Sequence, residues 1–510
     1  MKTAILSLTA LLSATLMVAQ SNTSNVSQSG EDNTSNITQV GGENSSITVQ
    51  EGMANSAVAN QGSEAFSSTG GTVAQTQNGV KNSATAQHEE FDNTIVQTQN
   101  GDGNSASATQ NLAFTGGANA SSQDQLGNRN EGTVSQEGIS NAAFQVQIGD
   151  GNSGSTTQEG LFNASEMTQE GASNVASIAQ VGENNFSQQL QSGDANSGSG
   201  EQWGLNNALI QDQSGGGNSA TSLQGSSSFD SRGGEVQQVQ IGEENTAFAQ
   251  HEEDNNRALQ GQLGDGNNAS VSQNLGSFGG DNFAIQIQRG NGNTLTASQN
   301  GNANSSDQDQ TGDSNNGSVT QSGDENSAVQ SQIGVGNEAT ALQGGTFFTS
   351  RGGAINQTQS GDQNSAFARH EEDNNTINQF QLGNSNSASA VQNINFFGGE
   401  NFSQQFQIGD GNSSDITQEG VTGIRGESNV GSHIQIGDEN SALTSQNGAS
   451  NISDILQDGV SNLASDTQFG TGNRTFVTQT GEAHSSIILQ NGTNNSAVVT
   501  QTGAGGGSSR

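Results

Sequence analysis

Three His-Glu-Glu triplets, His88-Glu89-Glu90, His251-Glu252-Glu253 and His370-Glu371-Glu372, carry the side chains best suited to metal binding or general-base chemistry. Asp-Gly-Asn turns such as Asp102-Gly103-Asn104 and Asp265-Gly266-Asn267 could offer oxygens to calcium. Calcium-binding solenoids, however, repeat every nine residues with Asp facing inward. The third chemistry is the commonest here: Gln and Asn amides hold donors and an acceptor at once, so identical side chains can bond to one another. Which of these chemistries operates depends on the elements that bring the residues together.

Those elements are written in a repeat. From Gln28 to Gln501 the chain divides into forty consecutive units of the form Q-x-G-x-x-N-x-(A/S/G)-x-x-x, thirty-three of them eleven residues long. Five examples run Gln39-Gly41-Asn44, Gln50-Gly52-Asn55, Gln99-Gly101-Asn104, Gln147-Gly149-Asn152 and Gln169-Gly171-Asn174. Five more run Gln262-Gly264-Asn267, Gln321-Gly323-Asn326, Gln381-Gly383-Asn386, Gln446-Gly448-Asn451 and Gln490-Gly492-Asn495. These amides are the candidate structural ladder and these glycines the candidate turns. His88, His251 and His370 replace the opening Gln, while Gly71, Gly234, Gly353 and His484 replace the Asn.

An eleven-residue period also suits a right-handed helical supercoil. A Gly in nearly every unit costs about 1 kcal/mol each in a helix, and no apolar stripe exists for a partner to cover. Strand and arc fit instead. Gly-x-x-Asn marks a tight turn, with Gly reaching positive φ and Asn tolerating it, and the next residues alternate. Asn44, Ser46, Thr48 and Gln50 then face inward and their odd-numbered neighbours outward.

A slower period sets the size of one turn. Two places before each new Gln, even-numbered units carry Gln97, Gln123, Gln189, Gln260, Gln308 or Gln379, with Met167 an exception. Odd-numbered units carry Ala86, Ala108, Ile178, Val271, Ala297 or Ala368 there. The predicted fold is therefore all-β: an amyloid-like β-solenoid with two strands per rung of about 22 residues, about twenty rungs and about 95 Å tall. Small residues such as Ala84, Ala106, Ala247 and Ala388 let the two sheets approach closely. The three histidines fall on separate rungs at least about 24 Å apart, which excludes one shared ion. They are expected as substitutions in the Gln ladder and a pH-sensitive interruption, with no metal site and no cofactor. Nothing resembling a catalytic triad is collected by such a fold, so the expectation is a protein without enzymatic activity.

Composition agrees. Hydrophobic residues make up 28% of the 510, with 71 Gly, no Pro, no Cys and a net charge of −39. Without periodicity this would predict disorder. The acidic excess disfavours nucleic acid and anionic membranes as partners, and acids at the arcs act as gatekeepers against sideways aggregation. Lys2 followed by the apolar run Ala4 to Val18 reads as a signal peptide over residues 1–19, too short to span a membrane; no later segment could insert in one. A short leader, 20–27, precedes the repeats at 28–501, and a flexible tail, 502–510, follows.

Three cassettes, Gln61 to Gln125, Gln224 to Gln288 and Gln343 to Gln407, share a layout of long, short, short, short and long units. Their arc insertions carry Phe66, Phe114, Phe229, Phe278, Phe347, Phe348, Phe396 and Phe397. These bulges are either tolerated insertions folded over the solenoid or aromatic contacts that bundle fibrils.

The Q-x-G-x-x-N-x-A-x-x-x-Q pattern resembles the curlin repeat, and the resemblance covers residues 28 to 501. It implies an extracellular curli-like amyloid fibre of biofilm and adhesion on the bacterial surface, built from copies of the chain. It also implies a nucleator subunit and a dedicated outer-membrane secretion channel as partners. Independently of the resemblance, terminal rungs without an evident cap would pass strand pairing on to a neighbour. The rival reading is a monomeric rod-like binding module.

Overall fold

In a computed structural model, residues 21–112, 116–275, 279–345, 349–393, 400–420 and 428–504 are described. The expected signal peptide at residues 1–19, Gln20 and residues 505–510 lie outside them. Among the described residues there are strands, turns and arcs and no helix. The chain forms two compact units, Met1–Asn163 and Ala164–Arg510.

In the first unit, strands of alternate repeats stack into two parallel sheets. One sheet runs through Thr23–Glu31, Ser45–Met53, Thr72–Val80, Thr94–Asn100, Ala120–Leu126 and Ala142–Asp150. From its third strand on it buries Gln at two successive inward positions, as at Gln75 and Gln77, and is called here the amide sheet. The other runs through Thr34–Gln39, Ser56–Gln61, Ser83–His88, Ser105–Gln110, Glu131–Ile139 and Ser153–Leu161. Its inward positions hold small residues such as Ala84 and Ala86, making it the alanine sheet. The second unit repeats the scheme, its amide sheet extending from Ala164–Ala172 to Ser496–Ala504 and its alanine sheet from Val175–Glu183 to Ser485–Thr493. Each unit is thus a β-solenoid with two strands per turn.

Register is like on like. Gln28 pairs with Gln50 and Gln50 with Gln77, the longer second step absorbing an insertion in the arc. Insertions fall between an alanine strand and the following amide strand, as between Gln61 and Thr72, so neither sheet is interrupted. Burial alternates as expected: Asn44, Ser46, Thr48 and Gln50 are buried, while Ile47 and Val49 face solvent.

Two details depart from the sequence reading. Thr23 to Ser27, expected in a leader, belong to the first amide strand and pair with Ser45 to Val49, and Thr502 to Ala504, expected in the tail, belong to the last and pair with Thr480 to Glu482. Asn22 explains the early start, since it accepts the Asn44 N–H just as later asparagines accept theirs. The second departure concerns the arc. The left-handed residues are the Gly and the residue before the Asn, such as Glu43 at φ +58° and Ala54 at +55°, not the Asn. Asn is required for its side chain rather than for its backbone.

Candidate functional site: the axial amide ladders

The inward Gln of each strand uses both amide hydrogens. Gln50 Nε2 donates to Gln77 Oε1 one turn on (2.8 Å) and across the core to the Thr34 carbonyl of the alanine sheet (2.9 Å). Gln99 repeats this with Gln125 (2.9 Å) and the Ser83 carbonyl (2.9 Å). The ladder therefore binds turn to turn and sheet to sheet simultaneously, at about 1 kcal/mol net per bond. In the second unit it runs unbroken from Gln169, which donates to Gln191, to Gln479, which donates to Gln501. Gln262 and Gln381 donate to Gln288 and Gln407 in the same direction, and Gln446, on the alanine sheet, donates to Gln468. Gln39, Gln321 and Gln490 stand in the alanine-sheet column, where Gln39 donates to Gln61 and Gln321 to Gln343 at 2.7 Å each, and Gln490 accepts from Gln468. Gln147 accepts from Gln125 at 2.8 Å.

The asparagines clamp the arcs. Asn104 Oδ1 accepts the N–H of Asn130 (2.9 Å), and its Nδ2 donates to the Gly127 carbonyl (2.7 Å), both in the next turn. Asn55, Asn174, Asn267, Asn386 and Asn451 donate likewise to Gly79, Gly193, Gly290, Gly409 and Gly470. Asn44 and Asn326 donate instead to the carbonyls of Ser68 and Ser350. Asn152 and Asn495 each donate a backbone N–H to the preceding Asn Oδ1. The turn glycines Gly41, Gly52, Gly101, Gly149, Gly171, Gly264, Gly323, Gly383, Gly448 and Gly492 all have φ between +111° and +143°.

A column leaves an acceptor bare wherever the preceding residue cannot donate. Gln189 Oε1 follows Met167 and has no partner. The oxygens of Gln110, Gln273 and Gln392 are equally bare, each one turn after a histidine. These histidines are held neutral by their partners. Ser68 Oγ donates to Asn44 Oδ1 (2.8 Å) and so accepts from His88 Nδ1 (3.1 Å), while the Gln61 amide, a donor only, faces His88 Nε2 at 3.2 Å. Gln224 and Ser231 flank His251, and Gln343 and Ser350 flank His370, in the same way. Burial lowers the pKa to about 4 for His88 and His251 and to about 3 for His370. No group of three or more His, Cys, Asp or Glu able to hold a metal ion occurs among the described residues.

Two further groups escaped sequence reasoning. His433 replaces the inner Gln of the amide sheet, bonded to Ser414 Oγ (2.8 Å) and Thr444 Oγ1 (2.7 Å), and Asp466, buried, accepts from Thr475 Oγ1 (3.0 Å). Each stands two residues before a ladder Gln, Gln435 or Gln468, so the column position was available as a signal. Burial raises the Asp466 pKa to about 6 and lowers that of His433 to about 3.

Of the arc aromatics, Phe66 is exposed and Phe229 half-buried, each ending a tight turn in which Ser63 or Ser226 donates its N–H to the Phe carbonyl. Phe114, Phe278, Phe347, Phe348, Phe396 and Phe397 lie outside the described residues.

No curated protein matches the chain. The family model described as Curlin associated repeat matches residues 453–481 and 470–503. Those residues are three successive amide strands, or parts of them, with the alanine strands between, stacked as Gln457 on Gln479 on Gln501. The matched turns are therefore similar to curlin associated repeats, and the ladder they carry continues through the rest of their unit.

Proposed function

We propose that the chain is the structural subunit of an extracellular, curli-like amyloid fibre of the biofilm matrix, polymerising by end-to-end stacking of solenoid turns and performing no catalysis. One observation carries this reading: the amide ladder is the same surface at every turn and has one direction. In the outer Gln column of the amide sheet, Nε2 points to the Oε1 of the turn that follows, from Gln28 to Gln50 and again from Gln479 to Gln501. A turn of one molecule therefore offers the acceptors that a turn of another supplies with donors, and a heterologous contact of that kind does not close on itself. The strands Thr23–Glu31 and Ser496–Ala504 each pair along one edge only among the described residues. An edge of this sort templates further strands. Export by the signal peptide at residues 1–19, passage through an outer-membrane channel and initiation by a nucleator subunit belong to the same proposal.

The test is seeded growth. Purified protein lacking residues 1–19 should form unbranched fibres whose dye-binding kinetics lose their lag when sonicated fibres are added. A chain that remains a monomeric rod through repeated seeding would refute the reading.

A further inference from the structure

The two sheets of the second unit present different outer faces. On the alanine sheet, the outward Phe367 of Ser365–His370 and Val391 of Ser387–Gln392 stand among serines and the charges Arg369, Asp415 and Glu419, the last two on Ser413–Glu419. On the amide sheet, the outward residues of Thr376–Leu382, Phe402–Ile408 and Val430–Ile436 include Phe380, Leu382, Phe406, Ile408, Ile434 and Ile436. None of the outward residues of these three strands is charged. Phe380 and Phe406 stack with ring centroids 4.8 Å apart at 11°, beside a shallow cleft of about 150 Å³ that reaches Asn356, Asn378 and Gln404. The next strand, Ile452–Val460, continues the apolar columns with Leu456 and borders them with Asp454 and Asp458.

We infer that this outer face of the amide sheet is a lateral self-association surface, occupied by the same face of a second copy in a neighbouring fibre. The inference rests on the fibre reading. Charge argues for the occupant. With a net charge of −39, two copies repel over most of their surfaces and can approach closely only where the face is uncharged. Flat columns of Phe, Ile and Leu repeated at the sheet spacing are self-complementary, as in a steric zipper. Area sets the strength. Three strands at about 4.8 Å by seven residues at about 3.3 Å give roughly 330 Å² per partner, against about 800 Å² per partner in a stable standard-size interface. Two free monomers therefore do not hold together, whereas fibres carrying the patch once per subunit gain by multivalency. Because the outer face of the other sheet carries Arg369, Asp415 and Glu419, association stops at paired fibres.

The experiment compares negative-stain micrographs and sedimentation of the wild-type chain, F380T/F406T/I434T, and the control L443T on the alanine sheet. Expected are monomers before assembly, paired fibres from wild type and L443T, and single fibres from the triple variant with an elongation rate within about twofold of wild type. Single wild-type fibres, or paired fibres from the triple variant, overturn this inference and leave the fibre reading intact. Single wild-type fibres that co-sediment with a neutral insoluble glucan, but not after the triple substitution, assign the face to polysaccharide and overturn it as well. If wild-type protein forms no fibre at all, the fibre reading falls and this inference with it.

Discussion

The imidazole of His88 fills the space that an asparagine side chain occupies in neighbouring turns: a β-carbon on Gly71 would stand 2.0 Å from His88 Cε1. Gly234 with His251 and Gly353 with His370 show the same relation, at 2.1 and 2.0 Å. What the repeat presents as two unrelated departures, a Gly for Asn and a His for Gln, is one exchange made three times.

That exchange predicts strong coupling. G71N alone forces a side chain onto the ring and should destabilise the turn by about 3 kcal/mol, the scale of overpacking a core. H88Q alone leaves the asparagine's space empty. H88Q/G71N restores the ordinary ladder, so that the introduced glutamine amide donates to the bare Gln110 oxygen, and should be at least as stable as wild type. Hydrogen exchange of the Gln61 and Gln110 backbone amides measures all three; additive losses in the double variant would refute the exchange.

The same histidines make stability depend on pH. Their folded pKa values, about 4 for His88 and His251 and about 3 for His370, lie below the ordinary 6.5. Above 6.5 their contribution is complete; as pH falls from 6.5 toward 4 the unfolded chain takes up protons that the folded chain refuses, and stability is lost. The full loss is about 3 kcal/mol each for His88 and His251 and larger for His370. Denaturant unfolding at pH 7.5 and 4.5 should show a smaller acid loss when all three pairs are converted to Gln and Asn. An unchanged difference between the two pH values would count against the buried neutral tautomer.

Much of this architecture was legible because its signal is periodic. Recurrence of Gln97, Gln123 and Gln189 in alternate units prescribes two strands per turn and assigns each strand to its sheet. The Gly71–His88 relation was not legible, because the residues are close only after the arc insertion brings the second turn's strand end over the first turn's arc. Nor did alternation reveal that Phe380 and Phe406 share a column on an uncharged face, since it separates inside from outside without comparing the two outsides. Asn22 carried a readable signal, standing before Gln28 at the same distance as Asn44 before Gln50.

Asp466 should act in the opposite direction to the histidines. Its folded pKa of about 6 exceeds the ordinary carboxylate value, so its favourable contribution is complete at low pH and is lost as pH rises through about 6. Between acid pH and pH 7.5 this shift removes about 3 kcal/mol of stability. D466N keeps the shape and a donor, so it should raise stability at pH 7.5 and leave it nearly unchanged at pH 4.5. A variant less stable at pH 7.5 would show that the Thr475 bond to the carboxylate outweighs the cost of burying its charge.

Two glycines separate backbone necessity from mere composition. Gly101 has φ +122°, and a β-carbon there would lie 2.0 Å from the Gly127 carbonyl oxygen of the next turn. Neither turn can retreat, because the Asn104 amide ties that same carbonyl in place at 2.7 Å. G101A should therefore cost about 3 kcal/mol or more, through left-handed strain and backbone collision together. Gly261 sits outward in an extended strand with nothing within 4 Å of its would-be β-carbon. G261A should be neutral or stabilise by about 0.5–1 kcal/mol through the unfolded chain. Thermal unfolding of the two variants side by side distinguishes the cases, and equal losses would mean that the arc is set by something other than the contact between successive glycines.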